Sequence, residues 1–216
     1  ASPFFAVYLL KNLHFSYTSY ILVTLSAVIT SLIFMPIWGR FADKYGNILT
    51  MRVNGIFIAF IPLLWLFSVL IYQYYPSQIL IYLLIVEAGS GIIWAGFNLA
   101  AGNFVYDAVT RQRMAICIAY NNITSSFGIV TGSLLGGLIA SFNFTFLGLS
   151  PILFIFALSA VARLIVYLVM DPKIREVRPV ENITIKQAKE KMKEKLSIHK
   201  FFEHASLNLL KVKPTE

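Results

Sequence analysis

Five stretches of the chain run for the length of a bilayer with almost no charge inside them: Thr18 to Trp38, Ile48 to Tyr72, Gln78 to Tyr106, Met114 to Phe142 and Gly148 to Met170. A helix needs about 20 predominantly apolar residues to cross the hydrocarbon core, so each stretch is long enough to span. The runs are continuous and do not alternate at period two, which excludes a transmembrane β-barrel. Charged residues make up only 13% of the chain, against about a quarter in an ordinary soluble domain. Those in the first 170 residues are Lys11, Arg40, Asp43, Lys44, Arg52, Glu87, Asp107, Arg111, Arg113 and Arg163, and most fall between the apolar runs. The fold class is therefore all-α: a polytopic membrane helical bundle whose first partner is the lipid bilayer.

The segment Pro3 to Leu10 is shorter than a span. It is expected to be a truncated first helix, which brings the count to six. The connections then alternate in charge. Lys11 stands alone in the first, and none occurs in Gln73 to Ser77 or in Asn143 to Leu147, whereas Arg40, Lys44, Arg52, Arg111, Arg113 and eleven cations after Met170 all share the opposite side. The positive-inside rule puts that side, with the C-terminus, in the cytoplasm of a plasma or inner membrane. Tyr17, Tyr20, Tyr72, Tyr74 and Tyr75 fit an aromatic belt on the outer side. Two regions follow: a transmembrane six-helix bundle over 1–170 and a basic cytoplasmic tail over 171–216. Within the tail, Ile185, Ala188, Met192, Leu196, Phe202 and Leu209 recur near helical period with lysines between them, which predicts an amphipathic helix over 184–210, either solvated or lying on the inner leaflet.

The net charge of +8 is not a nucleic-acid signal, because half of it sits in this tail, where positive charge beside a bilayer attracts anionic lipid. Cys117 is the single cysteine, so no intramolecular disulfide and no cysteine-clustered metal site can form. His199 and His204 lie five residues apart and share no helical face, so zinc is not indicated. No cofactor is called for.

The most specific stretch is Gly39-Arg40-Phe41-Ala42-Asp43-Lys44-Tyr45-Gly46-Asn47, placed in the turn between the second and third spans. It resembles the signature loop of the major facilitator superfamily, Gly-x-x-x-Asp-(Lys/Arg)-x-Gly-(Lys/Arg), and departs from it at Asn47, where a basic residue is usual. Locally, Gly39 can admit a neighbouring helix, Gly46 can take a positive φ, and Asp43 can face a helix N-terminus or a cation. The resemblance implies that Gly39, Arg40, Asp43, Lys44 and Gly46 form a cytoplasmic gate. A merely topogenic basic turn is the competing reading. A bundle of six helices carrying this loop between its second and third members resembles the C-terminal half of a twelve-helix transporter, whose missing N-terminal half-bundle would be a partner. Ser2 to Tyr8 and Asn103 to Val109 are similar to a prokaryotic branch of that superfamily with no assigned substrate.

Away from the ends of the spans, Glu87 and Arg163 are the two charges. A carboxylate near the bilayer centre is expensive, so Glu87 is either a proton or solute site or a protonated carboxyl hydrogen-bonded between helices. Gly91, Trp94 and Asn98 follow at i+4, i+7 and i+11 and share its face, which is expected to be wet or paired. In the fifth span, Asn121, Asn122, Thr124, Ser125 and Ser126 cluster near the midpoint. Asn122 and Ser126 are the candidates for solute contact, and interhelical hydrogen bonding is the alternative. Gly128, Gly132 and Gly136 form a stripe suited to close helix packing. Asp107 precedes Arg111 by four residues, which suggests a local ion pair, with Arg113 beside it as a further gate candidate. Arg163 is placed to snorkel towards the cytoplasmic interface.

The function these expectations favour is transport of a small solute by a secondary carrier using alternating access, with protons as a candidate coupling ion. A non-transporting membrane interaction or receptor subunit is the alternative. A membrane-embedded enzyme is weaker, because no histidine lies in a span and neither H-E-x-x-H nor G-x-S-x-G occurs. The orientation is directly testable. In sealed right-side-out vesicles, an impermeant thiol reagent should label a cysteine placed at Tyr75 but not one placed at Glu190, and labelling at 190 would overturn the topology.

Overall fold

The computed structural model describes residues 2–142 and 150–177, and among these there is no strand. The helices are α1 (Ser2–Val7), continued by a π-helical turn Tyr8–Asn12, α2 (Tyr17–Tyr45), α3 (Asn47–Tyr74), α4 (Ile79–Ala108), α5 (Met114–Ser141) and α6 (Pro151–Met170). Five of them, α2 to α6, are long and apolar enough to cross a membrane. The ends follow local chemistry. Ser16 caps α2 by accepting from the Ser19 amide at 3.2 Å. Pro151 opens α6 at the position where its missing N–H costs nothing. The tail helix expected over 184–210 lies outside the described residues.

Three helices form the frame. α2 and α4 run parallel, and polar side chains of α2 donate to successive turns of the α4 backbone. Ser26 Oγ reaches the Leu84 carbonyl at 3.3 Å, Thr30 Oγ1 the Ala88 carbonyl at 2.8 Å, and Trp38 Nε1 the Ile92 carbonyl at 2.8 Å. The helices come this close because Gly91 lies directly on Ala27 and Thr30, where a β-carbon would strike the Ala27 carbonyl oxygen. Gly96 likewise receives the Trp38 ring and the Asn54 amide. Small residues of this kind let backbones approach where lipid supplies no hydrophobic drive between helices.

α3 runs antiparallel to both α4 and α6. Its register is fixed at one end by Asn47 against Asp107 and Arg52 against Asp171, and at the other by Tyr82 donating to the Leu64 carbonyl at 2.7 Å and by Trp65 against Phe156. The core sits between α1, α3, α4 and α6, around Phe4, Tyr8, Trp65, Leu83 and Phe156.

α5 differs from the rest. Every residue from 119 to 130 is exposed in this chain. The glycine stripe expected to pack is used at one end only: Gly136 receives the Phe4 ring, while a β-carbon at Gly128 or Gly132 would meet nothing within 4 Å among the described residues. The tightest glycine contact in the frame is instead at Gly91, a residue expected on a wet or paired face.

Gly91→Ala should therefore destabilise the protein by about 1–3 kcal/mol, the range for overpacking a tight contact. Gly102→Ala, whose β-carbon would meet nothing within 4 Å, is the control and should be neutral. Thermal unfolding in detergent compares them, and equal melting temperatures would refute the close approach.

Candidate functional site

Glu87 sits half-buried on α4 with Leu83 and Val86 buried beside it. Its carboxyl meets the indole N–H of Trp65 on α3, outside strict hydrogen-bond geometry. Trp65 is 1% exposed, and its Nε1 has no hydrogen-bond partner among the described residues. Aromatic rings enclose it: Phe5 stacks at 4.5 Å between centroids, and Tyr8 and Phe156 meet it edge-on at 6.2 and 6.1 Å. A polar thread continues from there along α3. Ser68 Oγ donates to the Trp65 carbonyl at 2.5 Å and accepts from the Tyr8 hydroxyl at 3.0 Å. Glu87 thus faces one orphan donor whose own ring is enclosed by aromatic side chains, and a carboxyl so placed can hold a proton.

The other members of the Glu87 stripe meet different neighbours, because the stripe follows a seam shared by several helices. Gly91 is packed on α2, Trp94 lies under the Arg163 guanidinium with 5.6 Å from Cζ to the ring centroid, and Asn98 is exposed. Arg163 does not snorkel. It turns inward, and its Nη1 donates to the Ile58 carbonyl of α3 at 3.1 Å. No ion pair joins Glu87 to Arg163 among the described residues. The antiparallel register explains this: the pairs Trp65–Glu87 and Ile58–Trp94 lie two helical turns apart, roughly 10 Å along the axis.

At the opposite pole, the signature segment is helical instead of a loop. α2 continues through Tyr45, and the whole turn into α3 is Gly46 alone, at φ +93°. A β-carbon there would collide with the Glu176 carboxylate. Gly39 is in ordinary contact with Leu99, 3.8 Å from where its β-carbon would stand, so no close approach depends on it. Arg40, Asp43 and Lys44 are exposed on the last turns of α2, with Lys44 Nζ 5.2 Å from the centroid of the Tyr45 ring.

The start of α3 is occupied by Glu176, whose Oε2 accepts from the Ile48 amide at 2.9 Å. Asp43, for which the sequence offered a helix N-terminus or a cation as partner, is not the carboxylate at this helix start. Arg52 holds the segment carrying Glu176 in position, pairing with Asp171 at 2.6 Å and donating to the backbone carbonyls of Asp171 and Ile174. Asn47, where the signature pattern has a basic residue, is a fully buried amide donating to Asp107 at 2.6 Å. α4 ends at Ala108, so Arg111 is not one helical turn beyond Asp107 on a shared face. Arg111 and Arg113 are exposed, as are Asn122 and Ser126 on α5. Among the described residues no three potential ligands gather to hold a metal.

Trp65, Tyr8, Ser68, Asp171 and Glu176 were not singled out by sequence. The first three are commonplace in apolar helices, and the acidic pair is diluted in a basic tail. The N-cap of α3 is Gly46, which has no side chain to satisfy the first amides. Glu176→Ala should accordingly lower stability by about 1 kcal/mol, the usual worth of a helix cap. Glu176→Gln, which keeps an acceptor, should lose less, and an unchanged melting temperature for both would show that the contact contributes nothing.

A family model described as Major Facilitator Superfamily matches residues 1–212. No curated protein and no solved structure matches at a significant level.

Proposed function

The chain belongs to the major facilitator superfamily, and from that premise we propose that it is the C-terminal six-helix half of a secondary carrier, in which Glu87 takes up and releases the coupling proton. Members of this family are multi-pass membrane transporters acting on small solutes. In the proposed carrier, the basic side and the C-terminus face the cytoplasm, across a plasma or inner membrane.

The observation that carries the half-bundle reading is the bare surface of α5. Asn121, Asn122, Thr124, Ser125 and Ser126 are all exposed at mid-helix, with Tyr120, Ile123 and Phe127 each about two-thirds exposed around them. Polar side chains at membrane depth need protein or an aqueous cavity beside them, and lipid offers neither. α2 likewise presents Ile21, Leu32 and Ile33 uncovered. A second bundle docked across these two helices would enclose a cavity between them, with Asn122 and Ser126 on its wall. The exposed Arg40, Asp43 and Lys44 at the end of α2 would meet the same second bundle and act as its gate.

The proton assignment rests on enclosure. Glu87 is half-buried, meets an indole donor that is itself enclosed by rings, and lies two turns from Arg163, the other charge away from the span ends. Neutralisation by a proton is the simplest way to hold such a carboxyl at this depth. Exchange of that proton between the two access states would then couple solute movement to a pH gradient.

The full-length carrier can be tested in liposomes loaded with a pH-sensitive dye and challenged with a panel of small solutes. For any solute that drives a pH change, Glu87→Gln should abolish the proton movement while sparing solute counterflow, which requires no net proton transfer. Full proton movement in the Gln variant would overturn the assignment. Loss of counterflow as well would move Glu87 to solute binding.

A further inference from the structure

Arg163 is the half-buried charge for which neither the family signature nor the proton site accounts. Its partner on α3 is specific. The acceptor is the carbonyl of Ile58, and four residues later the chain has Pro62, fully buried inside the helix. In an α-helix the amide of residue 62 would donate to the carbonyl of residue 58. Proline has no N–H, so this carbonyl is the one backbone acceptor that Pro62 deprives of its helical partner. At membrane depth water is not at hand to replace the lost bond. The Nη1 of Arg163 fills that place from a neighbouring helix at 3.1 Å, and its guanidinium lies over the Trp94 ring, 5.6 Å from the centroid.

We infer that Arg163 is a positioning residue that caps the Ile58 carbonyl released by Pro62, pinning α6 and α4 to the weak point of α3. The cap has a consequence for the Glu87 site, and this part rests on the proton reading above. Trp65 follows Pro62 by three residues, so the α3 segment beyond the proline is the one that carries Trp65 to Glu87 and Ser68 to Tyr8. Without the cap, the proline would leave this segment free to shift against the first part of α3, and the indole would lose its contact with the carboxyl. Charge is not what the cap requires. A donor of the right reach suffices, which separates this role from binding an anionic solute with the same guanidinium.

The logic yields a double-mutant cycle. Pro62→Ala restores the amide that bonds Ile58, so it should remove the need for Arg163. In the full-length protein in detergent, Arg163→Met should lower the melting temperature by about 3–10 °C, the effect of orphaning one buried acceptor. In the Pro62→Ala background the same substitution should lose no more than half as much. Arg163→Lys, which keeps a donor, should retain most of the wild-type value; if Arg163→Met does not accumulate alone, its accumulation in the Pro62→Ala background supports the cap, and its failure there overturns it.

A second readout reports position. The charged and titratable groups along this seam are Tyr8 on the π-helical turn after α1, Tyr82 and Glu87 on α4, and Arg163 and Tyr167 on α6. The pH-dependent part of tryptophan emission that Glu87→Gln removes should shift its midpoint in Arg163→Met and return in the double variant. A cost of Arg163→Met that is undiminished by Pro62→Ala would overturn the cap and assign Arg163 to a charge role. A diminished cost with an unshifted emission midpoint would keep the cap and overturn its link to Glu87. If Glu87→Gln removes no pH-dependent emission, the proton reading fails, and the melting cycle still decides the cap.

Discussion

Backbone groups at membrane depth must find partners within the protein, and the helix pairings of this chain can be read as answers to that demand. α2 lays Ser26, Thr30 and Trp38 onto carbonyls of α4, bonds made possible by the bare backbone at Gly91. α6 answers the carbonyl that Pro62 releases on α3. Where α3 begins without a capping side chain, Glu176 arrives from beyond α6. Each contact joins two helices that have no hydrophobic reason to prefer one another over lipid, so these polar links, with the small residues that permit them, decide the register of the bundle.

The two polar poles of the bundle have different chemistry as a result. Near Gly46, full charges are paired or exposed: Arg52 with Asp171, Glu176 on a helix start, and Asp43 and Arg40 towards solvent. This pole is built from ionic and charge-assisted bonds that water and salt can weaken. Around Trp65, by contrast, rings enclose one unpaired indole donor, and the half-buried Glu87 carboxyl is the charge that meets it. Arg163 stands between the poles and belongs to neither.

The all-α class and the five long helices were legible in the sequence because a run of about 20 apolar residues has few other ways to satisfy its backbone in a membrane. Local geometry was legible too where a single residue controls it: Gly46 reads as the turn because an αL-side φ is open to glycine, and it is the one glycine with positive φ among the described residues. Glu87 stood out because an ionisable side chain in a span is rare enough to notice unaided.

What only the tertiary structure decided is which surfaces meet. Trp65, Ser68 and Tyr8 are ordinary residues until antiparallel register brings them to Glu87, and Arg163 reads as a snorkelling cation until α6 is seen beside Pro62. Asp43 and Glu176 are equally plausible occupants of a helix start, and the choice between them depends on a contact spanning 128 residues. Hydropathy and spacing carry information within one helix. They say nothing about the rotation of one helix against the next, which is set by where backbones can approach and which polar groups are left to satisfy.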